Sequence, residues 1–163
     1  MFKAGYVAIV GRANAGKSSL VNALVGEKVA IISSKPQTTR DNILGIVNGD
    51  NYQIVLVDTP GIHHSKNVLD KQMMKNVRSA VNGVDLILYL IDGTASPDEE
   101  EREYIAHLQL PTKVVKTKID LKNIKDFDCD IEISSRTGQN IDKLEELILQ
   151  NLPEYDKPHY IFD

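Results

Sequence analysis

Hydrophobic positions along this 163-residue chain come in two rhythms. Short β-branched runs recur at intervals, and between them apolar residues fall at helical spacing, the alternation that predicts an α/β fold with a mostly parallel sheet. Val7-Ala8-Ile9-Val10 predicts a buried first strand, and Lys17 to Val25 the helix that follows it. A loop rich in Ser, Thr and Pro runs from Ser33 to Arg40. Ile43 to Val47 and Tyr52 to Val57 are separated by Asn48-Gly49-Asp50-Asn51, whose Asn-Gly predicts a hairpin, so this pair is expected to be antiparallel. Leu86 to Ile91 is apolar throughout, as a strand covered on both faces would be, and Thr112 to Lys116 and Asp130 to Ile133 predict two more strands. Ser96, Pro97 and Glu99 predict a capping box, which places the acidic run from Asp98 to Glu103 at the favourable end of a helix dipole rather than in a metal site. The last helix, Ile141 to Leu149, carries apolar residues at Ile141, Leu144, Leu147 and Ile148 and is stopped by Pro153.

Composition narrows the class. With 42% hydrophobic and 26% charged residues and no run of ~18 apolar residues, the chain reads as one soluble globular domain with no integral membrane contact. A net charge of −4 and a pI near 5.6 argue against a broad nucleic-acid footprint, which needs Lys and Arg gathered on one face. Cys129 is the single cysteine, so no internal disulfide is possible. Met1-Phe2-Lys3-Ala4 lacks the apolar stretch of a signal peptide, and a cytoplasmic location is expected.

The chemistry starts at Gly11-Arg12-Ala13-Asn14-Ala15-Gly16-Lys17-Ser18, which follows a strand, opens a helix and matches G-x-x-x-x-G-K-[ST]. Phosphates concentrate negative charge, and a glycine-hinged loop can turn its backbone N–H groups around them at a helix N-terminus. Gly11, Asn14, Ala15, Gly16, Lys17, Ser18 and the adjacent Ser19 form the expected phosphate cradle. Lys17 adds charge for the outer phosphates, and the Ser18 hydroxyl is a magnesium ligand. Asp58-Thr59-Pro60-Gly61 ends a hydrophobic strand, offering Asp58 beside the magnesium and Gly61 where its backbone can meet a third phosphate. Thr117-Lys118-Ile119-Asp120 follows another strand. A carboxylate there accepts from the N1 and N2 donors of guanine, a pair adenine does not offer, although the tetrapeptide alone could equally be a turn.

These segments, with Gln37-Thr38-Thr39-Arg40, Asp58-Thr59-Pro60-Gly61-Ile62-His63 and Ser134-Ser135-Arg136, resemble in order and spacing the small translational GTPases, closest to the Era type. The resemblance implies a P-loop G domain with a six-stranded, mostly parallel sheet, one antiparallel strand and helices on both faces. It implies GTP and GDP as ligands, GTP hydrolysis, and a switch role in assembly of the small ribosomal subunit with ribosomal RNA as partner. A monomer is expected. Thr39, with Thr38 as second choice, resembles the switch threonine that joins Ser18 and Asp58 on Mg2+. The G domain is expected over 1–152, with 153–163 the start of a linker to an RNA-binding domain outside the chain.

The departures are as informative. Thr117 stands where Asn is usual, which implies modest nucleotide affinity, while Asp120 keeps base choice. Ser134-Ser135-Arg136 replaces the usual Ser-Ala-Lys, with the backbone N–H of Ser135 toward the guanine oxygen and Arg136 over the base. Little room remains between Asp120 and Asp130, so the helix usual there is expected to be shortened or lost. Ile62 stands where Ras-like enzymes place a glutamine, so hydrolysis should be slow. His63 and His64 are nearby but read as solvated. Asn14 either braces the loop or, as in related tRNA-modifying GTPases, holds K+ where an arginine finger would act, which makes Lys17, Thr39 and Asn14 the catalytic set. A nucleotide-gated binding module with incidental turnover is the alternative reading.

Overall fold

The computed structural model describes residues 2–12, 15–26, 29–30, 43–58, 83–108 and 110–155. Among them, in chain order, are β1 (Phe2–Gly11), α1 (Lys17–Val25), β2 (Val29–Ala30), β3 (Ile43–Asn48), β4 (Tyr52–Asp58) and β5 (Leu86–Asp92). They are followed by α2 (Glu99–Ala106), β6 (Thr112–Thr117), β7 (Ile131–Glu132), α3 (Ile141–Gln150) and β8 (Glu154–Tyr155). The sheet runs β2-β3-β4-β1-β5-β6-β7. From β4 to β7 neighbours are parallel, and β3 is antiparallel to β4 through the Asn-Gly hairpin. The six strands β3, β4, β1, β5, β6 and β7 are those expected, and two-residue β2 and β8 extend the sheet at its margins. β8 pairs with Phe2 and Lys3, a stretch of β1 that β5 leaves uncovered because their pairing starts at Val7.

Strand alternation sorts the core into two layers. Val7 and Ile9 of β1 join Leu20, Leu24, Leu144 and Ile148 on the face covered by α1 and α3. Ala8 and Val10 join Val57, Tyr89, Ile91 and Tyr104 on the face covered by α2. Helices thus cover both faces, as expected. α1 comes so near β3 that a Cβ on Gly45 would lie 2.8 Å from Val25 Cγ2, and the β3–β4 register shifts between Ile43 and Gly45 at the same place.

Local details differ from the expectation. The N-cap of α2 is Asp98, not Ser96: its Oδ1 accepts from the Glu101 N–H at 2.9 Å. Asp is as good a cap as Ser, and Asp98 stands the required three residues before Glu101. Glu101 itself is only 5% exposed, so the acidic run is not wholly solvated. The expected strand from Asp130 to Ile133 contracts to Ile131–Glu132. Residues 121–130 contain no helix, in line with the short spacing. That segment is instead fastened by Lys125 N–H to the Gly93 carbonyl at 2.7 Å, by Asp130 N–H to the Val114 carbonyl at 2.8 Å, and by Phe127, whose ring lies 4.6 Å from Lys116 Nζ. Among the described residues no helix is long and apolar enough to cross a membrane.

Candidate functional site

The parallel registers align the ends of the strands. Asp58 pairs with Ile9, Gly11 with Leu90, and Asp92 with Thr117, so the expected site residues form one row along the carboxyl edge of the sheet. That edge is where α/β sheets bind ligands, because loops diverge there and helix N-termini point into the gap.

At the centre, Gly16 caps α1 with φ 95° and ψ 25°. Only glycine adopts this left-handed geometry without steric cost, and here it turns the chain so that the first N–H groups of α1 face outward. The Ala15 N–H donates to the Arg12 carbonyl at 3.0 Å, closing the loop, and Lys17, Ser18 and Ser19 form the first turn of the helix. Lys17 Nζ donates to Asp58 Oδ1 at 2.8 Å, both side chains partly buried. The cation that opens α1 and the carboxylate that ends β4 therefore meet, and Ser18, the next residue after Lys17, is exposed. Ser18 and Asp58 offer hard oxygen donors, the chemistry that suits Mg2+ when phosphate oxygens and water complete its octahedron.

The second half of the row lies at the ends of β6 and β7. Thr117, 2% exposed, donates its hydroxyl to the Ala15 carbonyl at 2.6 Å, with the Ile91 carbonyl at 3.3 Å. Thr117 thus ties the end of β6 directly to the phosphate loop. Asp120 is held on both oxygens. Oδ1 accepts from the Ser134 hydroxyl at 2.8 Å, and Oδ2 lies 3.7 Å from Arg136 Nη1. Ser134 is fully buried and in turn accepts from the Thr137 N–H at 3.1 Å. The turn carrying Ser134, Ser135 and Arg136 is closed by Gly138 N–H to the Ser134 carbonyl at 2.9 Å. Arg136 is largely exposed, its side chain 82% accessible, so its guanidinium is within reach of a ligand on Asp120.

Of the expected site residues, Gly11, Ala15, Gly16, Lys17, Ser18, Ser19, Asp58, Thr117, Lys118, Asp120, Ser134, Ser135 and Arg136 fall on this one edge. Asn14, Thr38, Thr39, Gly61, Ile62, His63 and His64 lie outside the described residues.

Two further residues belong to the site's frame. Arg12 sits at a variable position of the phosphate-loop pattern and carries no signal of its own there. Its guanidinium donates to Asp98 Oδ2 at 2.8 Å and stands 3.7 Å from Glu101 Oε2, fixing the loop to the first turn of α2. Burial works against the charged guanidinium, but the hydrogen bond to Asp98 and the charges of Glu101 and Asp98 outweigh it and raise the Arg12 pKa. Asp92 ends the apolar run of β5, a polar residue at the carboxyl end of a strand, and that was a legible signal. It accepts from Lys118 Nζ at 2.9 Å.

Comparison with known proteins agrees with this geometry. Residues 6–118 match the family of 50S ribosome-binding GTPases. The chain is 42% identical to the GTPase Era of Clostridium botulinum over 170 residues, 94% of this chain and 57% of that protein. An Aquifex aeolicus Era variant bound to GDP·AlF4− superposes with a TM-score of 0.72 at 36% identity, over 99% of this chain and 60% of that one. An Era in complex with MgGDPNP and nucleotides 1506–1542 of 16S ribosomal RNA gives 0.71 at 36% identity, over 98% of this chain and 60% of that one. The chain thus spans a little over half the length of the relatives it matches. With the glycine-hinged loop, the Lys17–Asp58 pair and the Asp120 cradle on the carboxyl edge of this sheet, the chain belongs to the family of 50S ribosome-binding GTPases.

Proposed function

We propose that the chain binds GTP and GDP with Mg2+ and hydrolyses GTP slowly, serving as a nucleotide switch in assembly of the small ribosomal subunit. The observation that carries this reading is the continuous row from the Lys17–Asp58 pair to the Ser134-held Asp120, joined midway by Thr117 and Ala15. This row supports phosphate chemistry at one end of the edge and base recognition at the other.

Each group has a definite task in this reading. The N–H groups opening α1 and the Lys17 ammonium neutralise the phosphates, and their charge is worth most where it develops during cleavage. Asp120 accepts from N1–H and N2–H of guanine, and its orientation is set in advance by Ser134. The Ser135 N–H serves the guanine oxygen. When bound, Mg2+ supplies Lewis-acid polarisation of the outer phosphates, held by Ser18, Asp58 and, by resemblance, Thr39. Hydrolysis is mostly positioning plus charge neutralisation, so a chain with Ile62 in place of a water-orienting glutamine is expected to turn over slowly. Asn14 is the side chain proposed to hold K+ in support of the same charge.

The ribosomal role rests on the Era structure that holds a 16S ribosomal RNA fragment. With a net charge of −4, this chain is not expected to grip RNA tightly by itself. Multiple-turnover phosphate release, measured in matched potassium and sodium salts with and without small ribosomal subunits, tests the proposal. Turnover stimulated by potassium and subunits supports it. Nucleotide binding without sustained release in any arm would leave a binding module gated by nucleotide.

A further inference from the structure

We propose that Asp92 is a positioning residue for the nucleotide, acting through Lys118, whose side chain it lays along the phosphate loop as one wall of the base site. The inference rests on the guanine-nucleotide reading and names a determinant of affinity within it.

The carboxylate is itself held. Asp92 Oδ1 accepts from the Thr94 N–H at 2.8 Å and the Thr94 hydroxyl at 2.7 Å, and the Ala95 N–H closes the turn on the Asp92 carbonyl at 3.0 Å. Gly93 N–H donates to the Thr117 carbonyl at 2.8 Å, and a Cβ on Gly93 would lie 2.6 Å from that oxygen. The turn after β5 is therefore pressed against the end of β6, in register at Asp92 and Thr117. The other carboxylate oxygen, Oδ2, receives Lys118 Nζ at 2.9 Å.

Lys118 has φ 62°, a left-handed conformation that side chains other than glycine, asparagine and aspartate rarely take. Its Cε lies 3.9 Å from where a Cβ on Gly16 would be, so the methylene stem runs past the phosphate loop before reaching Asp92. A lysine stem is ordinarily free to sample many rotamers, and ordering it on binding opposes affinity. The ion pair removes that freedom in advance and leaves an apolar surface two residues before Asp120, where a purine ring held by Asp120 can pack. Burial would raise the Asp92 pKa, but the Thr94 hydrogen bonds and the Lys118 charge prevail and hold it below the ordinary carboxylate range.

Asp92→Asn is the informative variant. It keeps an oxygen acceptor for Thr94 but replaces the charged oxygen that receives Lys118 with an NH2 donor, so the ion pair is lost. Dissociation of GDP and of IDP, which lacks the 2-amino group, should accelerate by the same factor of about tenfold. The effect should vanish in a Lys118→Ala background, and the thermal midpoint of each nucleotide-free variant, measured alongside, should not account for it. Three results overturn the inference: unchanged GDP dissociation, an effect that adds fully to that of Lys118→Ala, or a changed GDP-to-IDP ratio, which would place Asp92 on the hydrogen-bonding edge. Wild-type protein that binds neither nucleotide would instead refute the guanine reading itself.

Discussion

The Thr117 hydroxyl donates to the Ala15 carbonyl across 2.6 Å, tying the end of β6 to the phosphate loop at a buried point. Thr117→Val removes the donor with little change of shape and leaves the Ala15 carbonyl without that partner, a change that costs ~1–3 kcal/mol at buried sites. GDP affinity is expected to fall about tenfold, equivalent to ~1.4 kcal/mol, because the loop loses its fixed distance from the base site. Thr117→Asn, which restores a donor, should recover most of it. Calorimetric titration of GDP into the three proteins makes the comparison, and equal affinities would mean the tie has no bearing on binding.

Lys17 donates to Asp58 at 2.8 Å, so under the proposed function its removal is expected to affect both the phosphates and the carboxylate proposed to face magnesium. Lys17→Ala should weaken GTP and GDP binding by at least a hundredfold while far-UV circular dichroism and the unfolding midpoint stay near those of the wild type, the ion pair being partly solvated. Retained affinity in folded protein would remove the phosphate-loop assignment.

Much of this was legible in the sequence because each element carried local chemistry. The glycines at 11 and 16 with Lys17, the Asn48-Gly49 hairpin and the apolar run of β5 each named their own geometry, and the structure places them accordingly. What escaped were relationships across the sheet. Arg12 reaches α2 over a separation of 86 residues, and nothing near Arg12 announces Asp98. The acidic run hid one buried member, since Glu101 looks like its neighbours until the register brings Tyr89 beneath it. The cap shifted from Ser96 to Asp98 for a local reason, two adequate caps standing two residues apart.

Glu101 is the place to test buried charge. It accepts from the Tyr89 hydroxyl at 3.0 Å and faces Arg12, and burial raises its pKa despite the opposing influence of Arg12 and Tyr89. A carboxyl raised on folding penalises the folded state once it ionises, and the penalty disappears as pH falls through the folded pKa toward the unfolded value of 4.5. Wild type should therefore gain stability relative to Glu101→Gln as pH is lowered from neutrality toward that unfolded value. The depressed carboxyl of Asp98, held down first by the Glu101 N–H and further by Arg12, acts with the opposite sign below 3.8 and is common to both proteins. Urea unfolding of the pair across this range measures the difference, and a gap independent of pH would show that Glu101 titrates normally. Glu101→Ala, which strands the Tyr89 hydroxyl, should cost ~2–4 kcal/mol at neutral pH.

Base choice should follow the carboxylate that Ser134 holds. In Asp120→Asn one acceptor oxygen becomes an NH2 donor, which faces the N2 donors of guanine unfavourably but suits the 2-oxo group of xanthine. The side chain is nearly isosteric and Ser134 can still donate to the remaining oxygen, so the fold and the phosphate contacts should persist. GDP affinity is expected to fall by up to ~10⁴–10⁵, the range for a site built around a hydrogen-bond pair that meets the wrong partner, while XDP affinity rises until it exceeds that for GDP. Competition of GDP and XDP against a fluorescent nucleotide, run on wild type and variant, reads the inversion directly. A variant that still prefers GDP would place base recognition elsewhere on the edge. A variant that loses both nucleotides equally would show that Asp120 and Ser134 shape the turn rather than read the base.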